Sequence, residues 1–187
     1  MDGLGLNSDR GVTLLETMIV LAIVGIVLTS VAPNVSTILA KHRMIAELNN
    51  LSSAIQYTRF NAIDTQVSTL LCPSADFQNC NYSNWNLPKI IFADDNHNNL
   101  RDKDEPLIHA TEHVYKGISL IGPKKNIRFY GDGVLGGPAT ILLCPQLPNP
   151  VLNRALIVSL QGRVRLSKDY NNDEIHETRA GKPVDCD

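Results

Sequence analysis

Three groups of side chains in this sequence have types and spacings suited to chemistry. The first is a lone acid. Glu16 is the only ionisable side chain in the apolar run of residues 12–32, VTLLETMIVLAIVGIVLTSVA. An acid at mid-bilayer costs about 2.5–3.5 kcal/mol on insertion scales, and less near the end of a span, so it normally has a partner. The second is an acidic stretch, residues 94–105, in which the oxygen side chains of Asp94, Asn96, Asn98, Asp102 and Glu105 fall on the ligand spacing of an EF-hand calcium loop. The third is Gly162-Arg163-Val164-Arg165. On a strand, residues two apart share a face, so Arg163 and Arg165 point the same way. A guanidinium grips phosphate oxygens with a planar fork of donors.

Each group has a plainer reading beside it. Glu16 also fits a simple signal anchor with its carboxylate at the headgroups. The acidic stretch has Asn99 where a calcium loop has glycine, although Asn tolerates the left-handed conformation. Its flanks, IIFA and PLIHA, read as strands rather than helices. Turn chemistry alone accounts for these residue types, so the stretch is read as a polar hairpin loop, with calcium the one cofactor it suggests. The paired arginines also fit a solvated strand face that makes ion pairs with the acidic tail of residues 169–177.

The charge distribution favours the third group. Net charge is -2, so no global attraction to polyanions follows. Residues 114–168, however, carry eight Lys/Arg (Lys116, Lys124, Lys125, Arg128, Arg154, Arg163, Arg165, Lys168) against the single acid Asp132. Lys124, Lys125 and Arg128 can join the Arg163/Arg165 face through a neighbouring strand or loop, though no sequence rule requires it. Aromatic residues are few around these cations, which argues against base stacking. GxSxG, HExxH and P-loop motifs are missing, and His42, His97, His109, His113 and His176 are scattered surface residues, so no catalytic site is read.

The elements that position these groups follow from pattern. Residues 12–32 are long enough to span a bilayer as a helix at 1.5 Å per residue. Pro33 follows, a place where helices kink. Apolar residues then recur with helical spacing at Val35, Ile38, Leu39, Ile45, Leu48, Leu51, Ile55 and Tyr57, which predicts an amphipathic extension over 33–61 whose stripe lies on a sheet. From there the chain changes character. VSTLLC, KIIFA, PLIHAT, ISLIG, NIRFY, TILLC, RALIVSL and GRVRL are short β-favouring runs divided by Pro, Gly, Asn and Asp. Helix first and strands after gives an α+β chain with an antiparallel, two-sheet head over 62–187. Cys72, Cys80, Cys144 and Cys186 form no CxxC pair, and an even count suits two disulfides in an oxidising compartment. Four cysteines allow three pairings, and the sequence does not choose among them. Cys72 with Cys80 closes the smallest loop and leaves Cys144 with Cys186.

Arg10-Gly11-Val12-Thr13-Leu14-Leu15-Glu16 resembles the leader junction of type IV prepilins and pseudopilins, with Val12 standing where Phe or Met is usual. The resemblance implies a leader at 1–11, removed by prepilin peptidase between Gly11 and Val12, and methylation of the new N-terminus. Glu16 is then the fifth mature residue, paired during assembly with the terminal amine of a neighbouring subunit. A buried carboxylate and ammonium are tolerable only together. In the head, the order Cys72-Pro73-Ser74, Cys80, Trp85, Ile91-Phe92, the acidic loop, Leu107, Ile127-Arg128-Phe129, Gly131, Gly133 and Gly162-Arg163-Val164-Arg165 resembles the FimT/GspH family.

That resemblance implies an inner-membrane, single-pass protein with its head in the periplasm, incorporated in a pilus or pseudopilus through helix contacts with other pilins. FimT-like minor pilins bind DNA for natural transformation through a GRxR-type motif, which falls here on Arg163 and Arg165. The expectation is sequence-independent binding of the duplex backbone by these two, with Lys168, Lys124, Lys125, Arg128 and Arg154 in support. The alternative is a structural pseudopilin of a type II secretion system that binds no DNA.

Overall fold

The computed structural model describes residues 11–179 and 181–186, with the side chains of 30–34 outside that description. The expected leader, Gly11 apart, lies outside the described residues. Two compact units emerge, Met1–Ala40 and Lys41–Asp187. The backbone is helical from Leu14 to Thr65 (α1), a helix that contributes to both units.

In the first unit, large apolar side chains are exposed on every side of α1. Met18, Ile19, Val20 and Leu21 are successive and all exposed. Successive helical residues step around the axis, so no single stripe faces a core. The last three residues of the expected span 12–32 have side chains outside the described ones. Among the described residues no helix is long and apolar enough to cross a membrane.

The second unit holds the core. The helix extends to Thr65 rather than ending near Asn61, and its buried face is Met44, Leu48, Leu51, Ile55, Thr58 and Ala62. This spacing of three and four keeps one stripe inward. Ile45 and Tyr57, expected on that stripe, are exposed, and Met44 takes the inward place. Thr58 enters the core because its hydroxyl donates to Ala54 O at 2.7 Å, which satisfies the buried donor.

All eight expected strands form: β1 (Thr69–Pro73), β2 (Lys89–Ala93), β3 (Leu107–Ala110), β4 (Ile118–Ile121), β5 (Ile127–Phe129), β6 (Ala139–Pro145), β7 (Arg154–Val158) and β8 (Val164–Leu166). They make two antiparallel four-stranded sheets, β3-β2-β1-β5 and β4-β6-β7-β8. The core between helix and sheets draws Leu71, Ile91, Ile127 and Phe129 from the first sheet and Ile141, Leu143, Leu156 and Val158 from the second. A smaller cluster of Leu70, Cys72, Ile90 and Phe92 covers the other face of the first sheet, beneath Cys80 and Tyr82. Burial on both faces explains why LLC and IIF are continuously apolar rather than alternating.

Sequence patterning missed two elements of the tail, β9 (Glu177–Arg179) and β10 (Lys182–Pro183), which pair with each other. They are short and polar, so they carry no period-2 signal. The disulfides are Cys72–Cys80 and Cys144–Cys186. The second ties the tail to β6. Val184 is buried there, and its carbonyl accepts from Asn153 Nδ2 at 3.0 Å.

Candidate functional site

The β7–β8 hairpin presents the paired arginines. Ser159 and Arg163 close it, with Ser159 N–H donating to Arg163 O at 3.0 Å and Arg163 N–H donating to Ser159 Oγ at 3.2 Å. Gly162 takes φ +74° in the turn, the left-handed conformation that glycine adopts without strain. In β8, Val164 pairs with Val158 and packs on the core, while Arg165 lies opposite Ile157. Alternation therefore sends Arg163 and Arg165 to the outer face of an edge strand. Both are exposed, and among the described residues neither guanidinium has a hydrogen-bond or ion-pair partner.

Among the described residues the acidic tail forms no ion pair with them. Asp169 Oδ1 accepts from the backbone N–H of Asn172 and Asp173, and Oδ2 from Glu174 N–H. Burial pushes the Asp169 carboxyl up, but the N–H groups of Glu174, Asn172, Asp173 and Asn171 together hold it below the usual carboxylate range. Asp173 accepts from Asn171 and Ile175, and Glu177 accepts from Gly181 N–H. These tail carboxylates are spent on local turns.

Strand register locates the remaining cations. The end of β4, the start of β6, the end of β7 and the start of β8 lie at one end of the second sheet. Lys124 and Lys125 follow β4 at that end, both exposed, and Lys125 Nζ lies over Gly137, just before β6. They therefore share an end of the sheet with Arg163, across three strand spacings, or roughly 14 Å. Lys168 is exposed but lies beyond the far end of β8, where its backbone bridges to Glu177.

Two expected members do not belong to this surface. Arg154 is buried, and its Nη1 donates to the carbonyls of Val151 (2.7 Å) and Asn153 (2.8 Å). Burial also pulls its pKa down. Arg128 is only 7% exposed. Its side chain leaves β5 on the outer face of the first sheet and enters the acidic loop. Nη2 donates to Asp94 Oδ2 at 2.5 Å and to Asn99 Oδ1 at 2.8 Å, and Nη1 donates to Ser68 Oγ at 2.8 Å. Both terminal nitrogens of this arginine are thus committed within the head rather than held out to an outside phosphate.

The acidic loop joins β2 to β3 as a hairpin connection, as its residue types predict. Asn98 N–H donates to Asp94 Oδ1 and Asn96 Oδ1, and Leu100 N–H to Asn98 Oδ1. Asp102 Oδ2 accepts from the amides of Asn96 and Asn98. Glu105 caps the backbone N–H groups of Asp95 and Asp102. Asn99 adopts φ +67°, the left-handed conformation its side chain tolerates. The positive charge facing Asp94 is Arg128. Among the described residues no group of three or more His, Cys, Asp or Glu side chains is gathered to hold a metal ion.

At the other end of the chain, Glu16 is exposed, and its backbone N–H donates to Thr13 Oγ1 at 3.3 Å, a helix-capping contact. Gly11 has open space around it.

Comparison with known proteins places the chain. Its fold is similar to that of the type IV minor pilin FimU of Pseudomonas aeruginosa, with TM-score 0.55 and 14% identity over 68% of this chain and 90% of that one. EpsH, a minor pseudopilin from the Type 2 Secretion System of Vibrio cholerae, aligns at TM-score 0.47 and 12% identity, over 65% of this chain and 93% of that one. No curated protein sequence matches. Residues 6–32 match the prokaryotic N-terminal methylation motif. Residues 47–162 match the family described as Type II transport protein GspH, and with more than half of its length in that match the chain belongs to the GspH family of pilin-like proteins.

Proposed function

We propose that this chain is a minor pilin whose head binds duplex DNA by its backbone, without sequence preference, for uptake in natural transformation. The observation that carries this reading is the pair of Arg163, at the end of the β7–β8 turn, and Arg165, on edge strand β8: both exposed and without partners among the described residues, beside a tail in which Asp169, Asp173 and Glu177 accept local hydrogen bonds. Lys124 and Lys125 extend the charge along the same end of the sheet. Two arginines alternating on a strand with lysines about 14 Å away suit a row of phosphates better than a single compact anion.

The rest of the life cycle follows from the N-terminus. Prepilin peptidase cuts between Gly11 and Val12, and residues 12–32 hold the protein in the inner membrane with the head outside. The exposed apolar side chains of α1 are then covered by lipid or by the helices of other pilins. Glu16 takes the terminal amine of the neighbouring subunit as its counter-ion.

The experiment is a mobility shift of a mixed-sequence duplex with the full chain in nonionic detergent, over a series of salt concentrations. Wild-type protein retards the duplex, and Arg163→Ala with Arg165→Ala lowers the affinity at every salt concentration. Losing two phosphate contacts also lowers the slope of log K against log salt by about 1.8. Unchanged affinity in the double variant removes DNA binding through these residues. The second reading, a pseudopilin of a type II secretion system whose head contacts only protein, is favoured by the description of the matched family. It predicts no retardation by the wild-type chain even at the lowest salt.

A further inference from the structure

We infer that Arg59, on the head segment of α1, is a third arginine of the phosphate-binding surface, an inference that rests on the DNA-binding reading above. Sequence patterning puts Arg59 on an amphipathic helix among ordinary solvated residues. The fold puts it against two loop tips that meet at the arginine end of the second sheet.

One tip is the β5–β6 connection. Gly133 N–H donates to Tyr130 O at 2.8 Å, and the Gly133 carbonyl accepts from Arg59 Nε at 3.0 Å. The other tip is the β7–β8 turn. The two are joined directly by Leu135 N–H donating to Leu160 O at 2.8 Å. Neither glycine has room for a side chain, Arg59 filling the space at Gly162 and Ile63 that at Gly133. A Cβ on Gly162 would stand 2.5 Å from Arg59 Nε and 2.8 Å from Gly133 O, and one on Gly133 would stand 2.7 Å from Ile63 Cδ1 and 3.3 Å from Arg59 Nε. Both glycines also take positive φ, +76° and +74°.

A guanidinium has five donor N–H groups in a rigid plane. Here the Nε edge is fixed by a backbone carbonyl while the terminal nitrogens have no hydrogen-bond or ion-pair partner among the described residues. Arg59 is half-buried, so the fixing is partial desolvation plus one bond, and its Nε and Cδ lie beside Gly162, the turn residue that immediately precedes Arg163. Asp132, next to Gly133, uses Oδ1 to accept from Val134 N–H, and neither it nor Asp64, five residues further along α1, forms an ion pair with Arg59. An arginine held at Nε and open at its terminal fork is pre-organised for an oxyanion, because little rotamer freedom remains to be lost on contact. The ligand class is a phosphodiester of the same duplex.

The test separates charge from architecture. Arg59→Gln retains an amide donor for the Gly133 carbonyl and removes the charge, whereas Arg59→Lys retains the charge. Both are measured as full chains in detergent, with the same duplex and salt series, beside wild type and the Arg163/Arg165 double variant, and with thermal melting of each. The expected result is a salt slope about 0.9 smaller for Arg59→Gln, a slope near wild type for Arg59→Lys, and further loss when Arg59→Gln is added to the double variant. A wild-type slope in Arg59→Gln, with the double variant impaired, overturns the role of Arg59 and leaves the Arg163/Arg165 surface standing. Equal loss of binding in both Arg59 variants, together with lowered melting, assigns Arg59 to holding the loop tips alone and also overturns it. If the wild-type chain retards no duplex, this inference and the reading beneath it fall together.

Discussion

Arg128 and Arg165 both sit on strands of the same head, and they have opposite fates. Arg128 enters a loop of acids and amides and engages both terminal nitrogens: Asp94 and Asn99 accept from Nη2, and Ser68 accepts from Nη1. Arg165 stands on an edge strand with nothing described to bond to. The difference comes from what covers each sheet. The outer face of the first sheet lies beneath two long loops, so an arginine there must be fully paired to be buried. Among the described residues β8 pairs with β7 alone, and the tail that reaches this sheet is pinned by Cys144–Cys186 with Asp169 turned into its own backbone. A positive charge in this protein is structural where loops close over it and available for a partner where they do not.

The largest expected effect breaks the first half of that contrast. Arg128→Ala leaves Asp94 buried, at 0% exposure, without its counter-ion. Breaking a buried pair from one side costs about 3–5 kcal/mol, read as a lower urea midpoint. An unchanged midpoint would mean that Arg128 is not structural. Next, Cys144→Ser with Cys186→Ser opens a loop with a sequence separation of 42. Chain entropy puts the loss at about 4 kcal/mol. The freed tail also brings its acids within reach of Arg163 and Arg165, so low-salt DNA affinity falls with stability.

Lys89 sharpens the rule for a cation with an incomplete partner. Burial pulls its pKa down to about 8, and Glu47 opposes the shift. The unfolded chain binds the proton more tightly than the folded one, so stability rises as pH climbs from about 8 toward 10, by on the order of 2 kcal/mol. Below that window the buried ammonium is charged in both states and its cost is constant. Lys89→Met abolishes the rise, as chemical denaturation across the pH series will show. The smallest effect on stability belongs to the arginine pair itself. Arg163→Ala with Arg165→Ala shifts unfolding by less than about 0.5 kcal/mol. A large destabilisation there would place these arginines in the architecture after all.

Much of this was legible from residues alone. The apolar run with Glu16, the eight strand segments, the hairpin nature of the acidic loop and the shared face of Arg163 and Arg165 are all local properties, set by periodicity and turn chemistry over a few residues. The polar β9 and β10 were not legible, because neither buries a patterned face. The sequence also did not separate Arg128 and Arg154 from the other cations. Charge type and strand position are identical for a paired and an unpaired arginine, and only the loops folded across them tell the two apart. Arg59 shows the same limit from the other side. Its helix position announces nothing, and its closeness to Gly133 and Gly162 exists only once distant segments meet. The sequence by itself determined which elements form and which side chains are charged, because those depend on near neighbours. Tertiary structure alone decided which charges remain free, because a charge is satisfied by whatever the fold brings to within a hydrogen bond of it, however far away that lies along the chain.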